Sequence, residues 1–116
     1  IIGRYWPGPL TIVVKSKGKL SSLVKVRNTV AMRVPGHKYL RTIIKLLGKP
    51  LTATSANLAG KPNTYSAMAV KKYLGQRGLH YLIDGGDLPK RSPSTIVQVI
   101  NKRIKILRPG AIKVKI

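Results

Sequence analysis

Residues 94–107 read STIVQVI, then NK, then RIKIL, with apolar and polar residues alternating on both sides of Asn101-Lys102. Alternation with a period of two over strand length predicts two β-strands, and the two-residue break predicts an antiparallel hairpin, although no glycine stands where a tight primed turn prefers one. Working back along the chain, LTIVVK (10–15) and TVAMRV (29–34) are further β-branched runs of strand length, the second stopped by Pro35-Gly36. From His37 to Leu47 the pattern changes: Leu40, Ile43, Ile44 and Leu47 fall at i, i+3, i+4 and i+7, with Lys38, Arg41 and Lys45 off that stripe and Gly48 as a stop. That spacing predicts an amphipathic helix with a basic outer face.

PLTAT (50–54) reads as a buried strand leading into the polar loop SANLAGKP, and a second helix is expected from about Ser66 to Leu74, with Gly75 past its end. HYLID (80–84), closed by Gly85-Gly86, reads as another strand, and the tail AIKVKI (111–116) as an edge strand with its lysines outward. Together these elements predict an α/β fold with a twisted mixed sheet and flanking helices. The length of 116 residues and 43% hydrophobic content fit one domain, and no repeat or low-complexity linker divides it. The chain starts at Ile1 and not Met, as a fragment or processed chain would.

Cysteine is absent, which excludes a disulfide framework, a zinc knuckle and a thiol nucleophile. No apolar run approaches the roughly 20 residues a bilayer requires, so a cytoplasmic protein with no membrane partner is expected. Charge is the dominant compositional fact: 23 Lys and Arg stand against only two acids, for a net charge of +21. A solvated basic surface would interleave acids to limit self-repulsion, so a polyanionic partner is expected. The cations are scattered through the whole chain: Lys15, Lys17, Lys19, Lys25 and Arg27, then Lys71, Lys72 and Arg77, then Lys102, Arg103, Lys105, Lys113 and Lys115. A membrane-surface helix would gather them on one amphipathic segment, whereas structured RNA can be touched on several sides. With one Trp, five Tyr and no Phe, phosphate contact is a better expectation than base stacking.

Catalytic motifs are few. His37 and His80 have no partner ligands nearby in sequence for a metal, and Asp84 and Asp87 flank a Gly-Gly turn, where Asp serves turn formation. No Walker loop or dinucleotide fingerprint occurs, and Ser55 has no base to make it a nucleophile. What remains is a set of polar residues near strand ends: Thr29, Arg33, Ser55, Asn57, Ser94 and Arg108. Hydroxyls, an amide and two guanidinium groups suit a bound nucleotide and carboxylate, but each also fits a cap or turn, and spacing alone does not choose.

RYWPGPLTIVV, TVAMRVPGH, LTATSANLAGKP, LIDGG, SPSTIV and ILRPGAI follow one another in that order. This series resembles the C-terminal part of the YrdC family, whose members include threonylcarbamoyl-AMP synthases and have a twisted α/β fold with a basic concave face linked to double-stranded RNA. The resemblance implies Thr29, Asn57 and Arg108 as nucleotide contacts, and Arg33, Ser55 and Ser94 as contacts to threonine or the acyl intermediate. It further implies threonine, bicarbonate and ATP with magnesium as reactants, and a product that modifies an adenosine of tRNA.

There are departures. The N-terminal half, with its lysine and arginine motif for the triphosphate, has no counterpart in this sequence, so residues 1–116 read as a single YrdC-like domain lacking that half. Ala59 and Gln98 stand where the family usually has a Ser and an acid. These departures and the charge point to an RNA-binding module with no catalytic residue and no bound cofactor, as in a ribonucleoprotein such as the ribosome, with rRNA or tRNA as partner. That module is the main expectation; the retained ligand residues give the alternative, the C-terminal part of a threonylcarbamoyl-AMP synthase.

Overall fold

The strand LTIVVK forms as expected and organises the sheet around itself. In the computed structural model the elements are α1 (Ile2–Tyr5), β1 (Leu10–Lys15), β2 (Thr29–Met32), α2 (Lys38–Leu47), α3 (Ala67–Leu74), β3 (Thr95–Ile100) and β4 (Arg103–Arg108). The structure describes residues 1–18 and 20–115. The chain divides into two compact units, one made of Ile1–Thr52 with Ser92–Ile116 and the other of Ala53–Arg91.

The first unit holds a mixed four-stranded sheet in the order β2-β1-β3-β4. Strands β1 and β3 run parallel, with Leu10 opposite Thr95 and Ile12 opposite Val97, while both outer pairs are antiparallel. The register gives the sheet two distinct faces, because successive side chains alternate across a strand. One face carries Leu10, Ile12, Val14, Val30, Met32, Thr95, Val97, Ile104 and Ile106. Its centre is the core, in which Leu10, Ile12 and Val97 are buried, each contributing about 1.5–3 kcal/mol.

Tyr5, Trp6, Ile112 and Val114 cover that core. The tail is therefore a strap and not the edge strand expected from AIKVKI: residues 111–115 form no ladder, and Ile116 lies outside the described residues. Its alternation still decides its packing, with Ile112 and Val114 half-buried and Lys113 and Lys115 exposed. The buried Thr95 hydroxyl fastens the strap by donating to the Ile112 carbonyl at 2.7 Å and accepting from its N–H at 3.2 Å. Tyr5 adds a second fastening, its hydroxyl taking the Lys115 N–H at 3.0 Å.

Helix α2 matches the expected boundaries, with His37 as N-cap accepting from the Leu40 N–H and Gly48 in the left-handed conformation as C-cap. Its apolar stripe is only partly covered, since Ile43 and Ile44 are half-buried while Leu40 and Leu47 are exposed. In the second unit, α3 follows Ser66 as N-cap, and the loop before it is held by the Thr64 hydroxyl on the Ala56 carbonyl. Asp84 makes the expected turn, its carboxylate accepting from the Gly86 N–H at 2.9 Å.

Two expected strands are absent. PLTAT and HYLID have no regular structure and stay exposed, Leu51, Tyr81, Leu82 and Ile83 included. A strand is stable only where its N–H and C=O groups meet a neighbour, and neither run meets a ladder among the described residues. TVAMRV is likewise shorter than expected, pairing only as far as Met32.

Candidate ligand-binding site

The face of the first unit's sheet opposite the core collects the polar residues. From the register it carries Thr29, Ala31 and Arg33 from β2 and its extension, Thr11, Val13 and Lys15 from β1, and Ser94, Ile96 and Gln98 from β3 and the residue before it. On β4 it carries Arg103, Lys105 and Arg108. These last three do not follow simple alternation, because Lys105 and Arg108 are three residues apart. A one-residue bulge resolves this: Val97 pairs with Ile106 but Ile96 pairs with Arg108, leaving Leu107 as the extra residue. Without the bulge Arg108 would lie opposite Thr95, on the core face; with it, the guanidinium is re-aimed to the polar face.

Arg108 then folds over Ser94. Its Nη2 donates to the Ser94 carbonyl at 2.8 Å and stands 3.2 Å from the Ser94 hydroxyl. That hydroxyl is also 2.9 Å from the Thr11 hydroxyl. At the opposite edge Arg33 is held by its Nε, which donates to the Gly8 carbonyl at 2.9 Å, while the Gly8 N–H donates to the Val34 carbonyl. The two arginines thus stand on the outer strands, about three strand spacings or roughly 14 Å apart at the backbone. Between them the floor is Thr11, Val13, Ile96 and Gln98, all half-buried.

Backbone proximity shapes this corner as well. A Cβ on Gly110 would collide with the Pro93 carbonyl and come within 2.7 Å of Ser94 and Thr95 backbone atoms, and Ala111 donates to the Pro93 carbonyl at 2.9 Å. The RPGA segment therefore lies directly on the chain that presents Ser94, and glycine is needed for close approach.

Both acids of the chain, Asp84 and Asp87, belong to the second unit, so the sheet unit has no side-chain carboxylate at all. Among the described residues, the guanidinium groups of Arg33 and Arg108 are bonded only to neutral oxygens. A face with two such cations flanking hydroxyls favours a bound anion.

Of the expected ligand residues, Arg33, Ser94 and Arg108 share one end of this face. Thr29 is on the same face but at the far end of β2, opposite Lys15, where its hydroxyl closes a turn on the Val26 carbonyl at 2.7 Å. Ser55 and Asn57 lie in the second unit. Ser55 is exposed, and Asn57 uses its amide N–H groups to staple the loop to the Leu58 and Lys61 carbonyls. Its Oδ1 is buried without a partner among the described residues. Thr11 and Gly8 were not singled out from the sequence, although alternation within LTIVVK already puts Thr11 on the non-core side.

The expected RNA contacts divide by place. Lys15, Arg103 and Lys105 are on the polar face, Lys113 and Lys115 on the strap, and Lys71, Lys72 and Arg77 on and after α3. Lys17, Lys25, Arg27 and Lys102 lie near the end of the sheet formed by the last residues of β1 and β3, and Lys19 lies outside the described residues. No cluster of metal-ligating side chains occurs among the described residues, and no helix is long and apolar enough to cross a membrane.

The first unit is thus an α/β domain with a carboxylate-free, arginine-flanked sheet face. A family model described as "Telomere recombination", that of the Sua5, YciO and YrdC proteins, matches residues 1–110, and the chain belongs to that family. It is 36% identical over 111 residues to the threonylcarbamoyl-AMP synthase of Pyrococcus abyssi, covering 94% of this chain and 32% of the relative. With the Vibrio cholerae synthase it shares 35% over 106 residues, covering 90% of this chain and 55% of the relative.

The crystal structure of P. abyssi Sua5 complexed with L-threonine superposes with a TM-score of 0.84 at 34% identity, covering 94% of this chain and 32% of that one. The chain thus spans about a third to a half of the length of these relatives. They back the alternative, synthase reading of the sequence over the main expectation of a non-catalytic RNA-binding module, and give no support to a ribosomal or rRNA-binding role.

Proposed function

We propose that residues 1–116 carry part of a threonylcarbamoyl-AMP synthase domain, in the cytoplasm, and that the polar sheet face is its threonine and nucleotide site. The observation that carries this reading is the pair Arg33 and Arg108 flanking the Thr11 and Ser94 hydroxyls in a unit without a carboxylate. In the reaction, the threonine amine and bicarbonate condense to a carbamate with loss of water. A carbamate oxygen then attacks the α-phosphorus of ATP, and the bond to pyrophosphate breaks.

On this reading Arg33 pairs with the threonine carboxylate and Arg108 offsets phosphate charge. Ser94, held between Thr11 and Arg108, orients the threonine or its acyl derivative by neutral hydrogen bonds. Thr29 contacts the nucleotide from the far end of β2; the second unit, taken by itself, offers the Ser55 hydroxyl and the buried Asn57 Oδ1 as polar groups of the kinds the family resemblance assigns to acyl and nucleotide contacts. Positioning and charge stabilisation are the main protein contributions to phosphoryl chemistry. The donor set does not fit a protein-held magnesium ion, which prefers carboxylate oxygens; the metal would travel on the ATP phosphates.

The test is ATP-dependent formation of threonylcarbamoyl-AMP, with calorimetry of threonine and ATP, by the chain together with a family N-terminal half supplied in trans. Absence of both binding and product under those conditions overturns the reading.

A further inference from the structure

Thr11 is the one polar residue of the apolar run 10–14. The strand does not need it, because Val and Ile serve such a position equally well, and Val13 occupies the next place on the same face. Thr11 pairs with Ile96 in the parallel ladder, so Ser94, just before β3 begins, is its diagonal neighbour. The two hydroxyl oxygens are 2.9 Å apart, and both residues are half-buried. The Thr11 hydroxyl has no other partner among the described residues.

A hydroxyl has one proton to give and two lone pairs to accept with, whereas a guanidinium only donates. Arg108 Nη2, at 3.2 Å, therefore occupies one lone pair of the Ser94 oxygen. What Thr11 does sets the polarity of the rest. If Ser94 donates to Thr11, a lone pair on Ser94 is left for a ligand; if Thr11 donates to Ser94, both lone pairs are taken and the Ser94 proton is free. Rotation of the two O–H bonds exchanges these arrangements with no movement of heavy atoms. An anionic oxygen selects the second, because it can only accept. The surroundings favour such an oxygen, since Arg33 and Arg108 flank the pair and the unit has no side-chain carboxylate. Donation from a guanidinium also polarises the hydroxyl it reaches and strengthens it as a donor.

We propose that Thr11 is a positioning residue for Ser94: in the ligand-bound state its hydroxyl donates to the Ser94 oxygen and commits the Ser94 proton to a carboxylate or acyl oxygen of the ligand. The inference rests on the reading of this face as a threonine site. Thr11 itself touches no ligand, and its effect passes wholly through Ser94. The arrangement gives this position of the site a preference for ligand groups that accept over groups that donate.

The test is threonine affinity by calorimetry, on the chain together with a family N-terminal half supplied in trans, for T11V, T11S, S94A and the double variant T11V/S94A. Valine keeps the shape and the strand preference of Thr11, so the melting temperature of T11V should hold. Its threonine affinity should fall roughly fivefold, the worth of one hydrogen bond of ordinary strength. T11S restores the hydroxyl and should bind within about twofold of the unsubstituted chain. With S94A already present, T11V should cost less than about twofold more, because residues that act through one another are not additive. Unchanged affinity in T11V overturns the inference and leaves the threonine site standing. A loss that persists in full beside S94A, or that T11S does not relieve, gives Thr11 a direct or purely structural part and overturns it as well. Failure of the unsubstituted chain to bind threonine overturns the site reading itself, and this inference with it.

Discussion

The Ser94 hydroxyl stands between two partners from different strands, 2.9 Å from the Thr11 hydroxyl and 3.2 Å from Arg108 Nη2. It can be donor to one and acceptor from the other, so its orientation is set before any ligand arrives.

Ser94→Ala should therefore weaken threonine binding by roughly tenfold, in keeping with the loss of one to two hydrogen bonds to a polar or charged ligand. Arg108→Lys should weaken ATP binding by at least as much, because an ammonium cannot reproduce the fork that spans the Ser94 carbonyl and hydroxyl. Ser94 is half-buried and Arg108 exposed, so unfolding free energies should move by less than about 1 kcal/mol. Calorimetry and thermal melts read the two effects separately.

Thr95→Val removes the hydroxyl that serves both backbone groups of Ile112. Shape is nearly kept, but a carbonyl and an N–H lose their partner, at a cost of about 1–3 kcal/mol. The expected result is a lower denaturation midpoint with faster amide exchange at Ile112.

Gly110→Ala places a methyl group against the backbone of Pro93, Ser94 and Thr95. Backbone cannot rotate away as a side chain can, so a loss of about 1–3 kcal/mol is expected, with displacement of Ser94. Denaturant titration checks the first part, and reduced threonine affinity in the folded fraction checks the second.

Asn57→Asp replaces the amide donor to the Leu58 and Lys61 carbonyls with a negatively charged acceptor. The loop staple should open, lowering nucleotide affinity by roughly tenfold or more. Isothermal calorimetry with ATP reads this, and Asn57→Ala, which lacks the added charge, should show a smaller loss.

The sheet was legible in the sequence where strands pair with one another within the described residues. LTIVVK, the start of TVAMRV and the hairpin STIVQVI-NK-RIKIL all form, and α2 is framed by His37 and Gly48 as its spacing predicts. PLTAT and HYLID failed for a reason composition does not carry: apolar runs become strands only beside a ladder. The hairpin formed without glycine because Asn101 and Lys102 accept the left-handed conformation themselves. At the site, the residue types of Arg33, Ser94 and Arg108 were legible through their setting in family-like segments. Their meeting on one face was not, since Arg108 has core-face parity until Leu107 is counted as a bulge. Thr11 carried no signal of its own, because a β-branched residue inside a good strand serves packing equally well.

Leu107 gives the hairpin a property that residue identity alone does not express. The distance in residues from the Asn101-Lys102 turn to Arg108 acts as a reading frame: the same arginine, with the same neighbours in sequence, stands on the polar face at one count and intrudes on the core at the next. Removing Leu107 would leave every functional side chain in the chain and still exchange the address of the one that matters at Ser94. A search for this site in other sequences should therefore weigh the spacing between the turn and the arginine as heavily as the arginine itself.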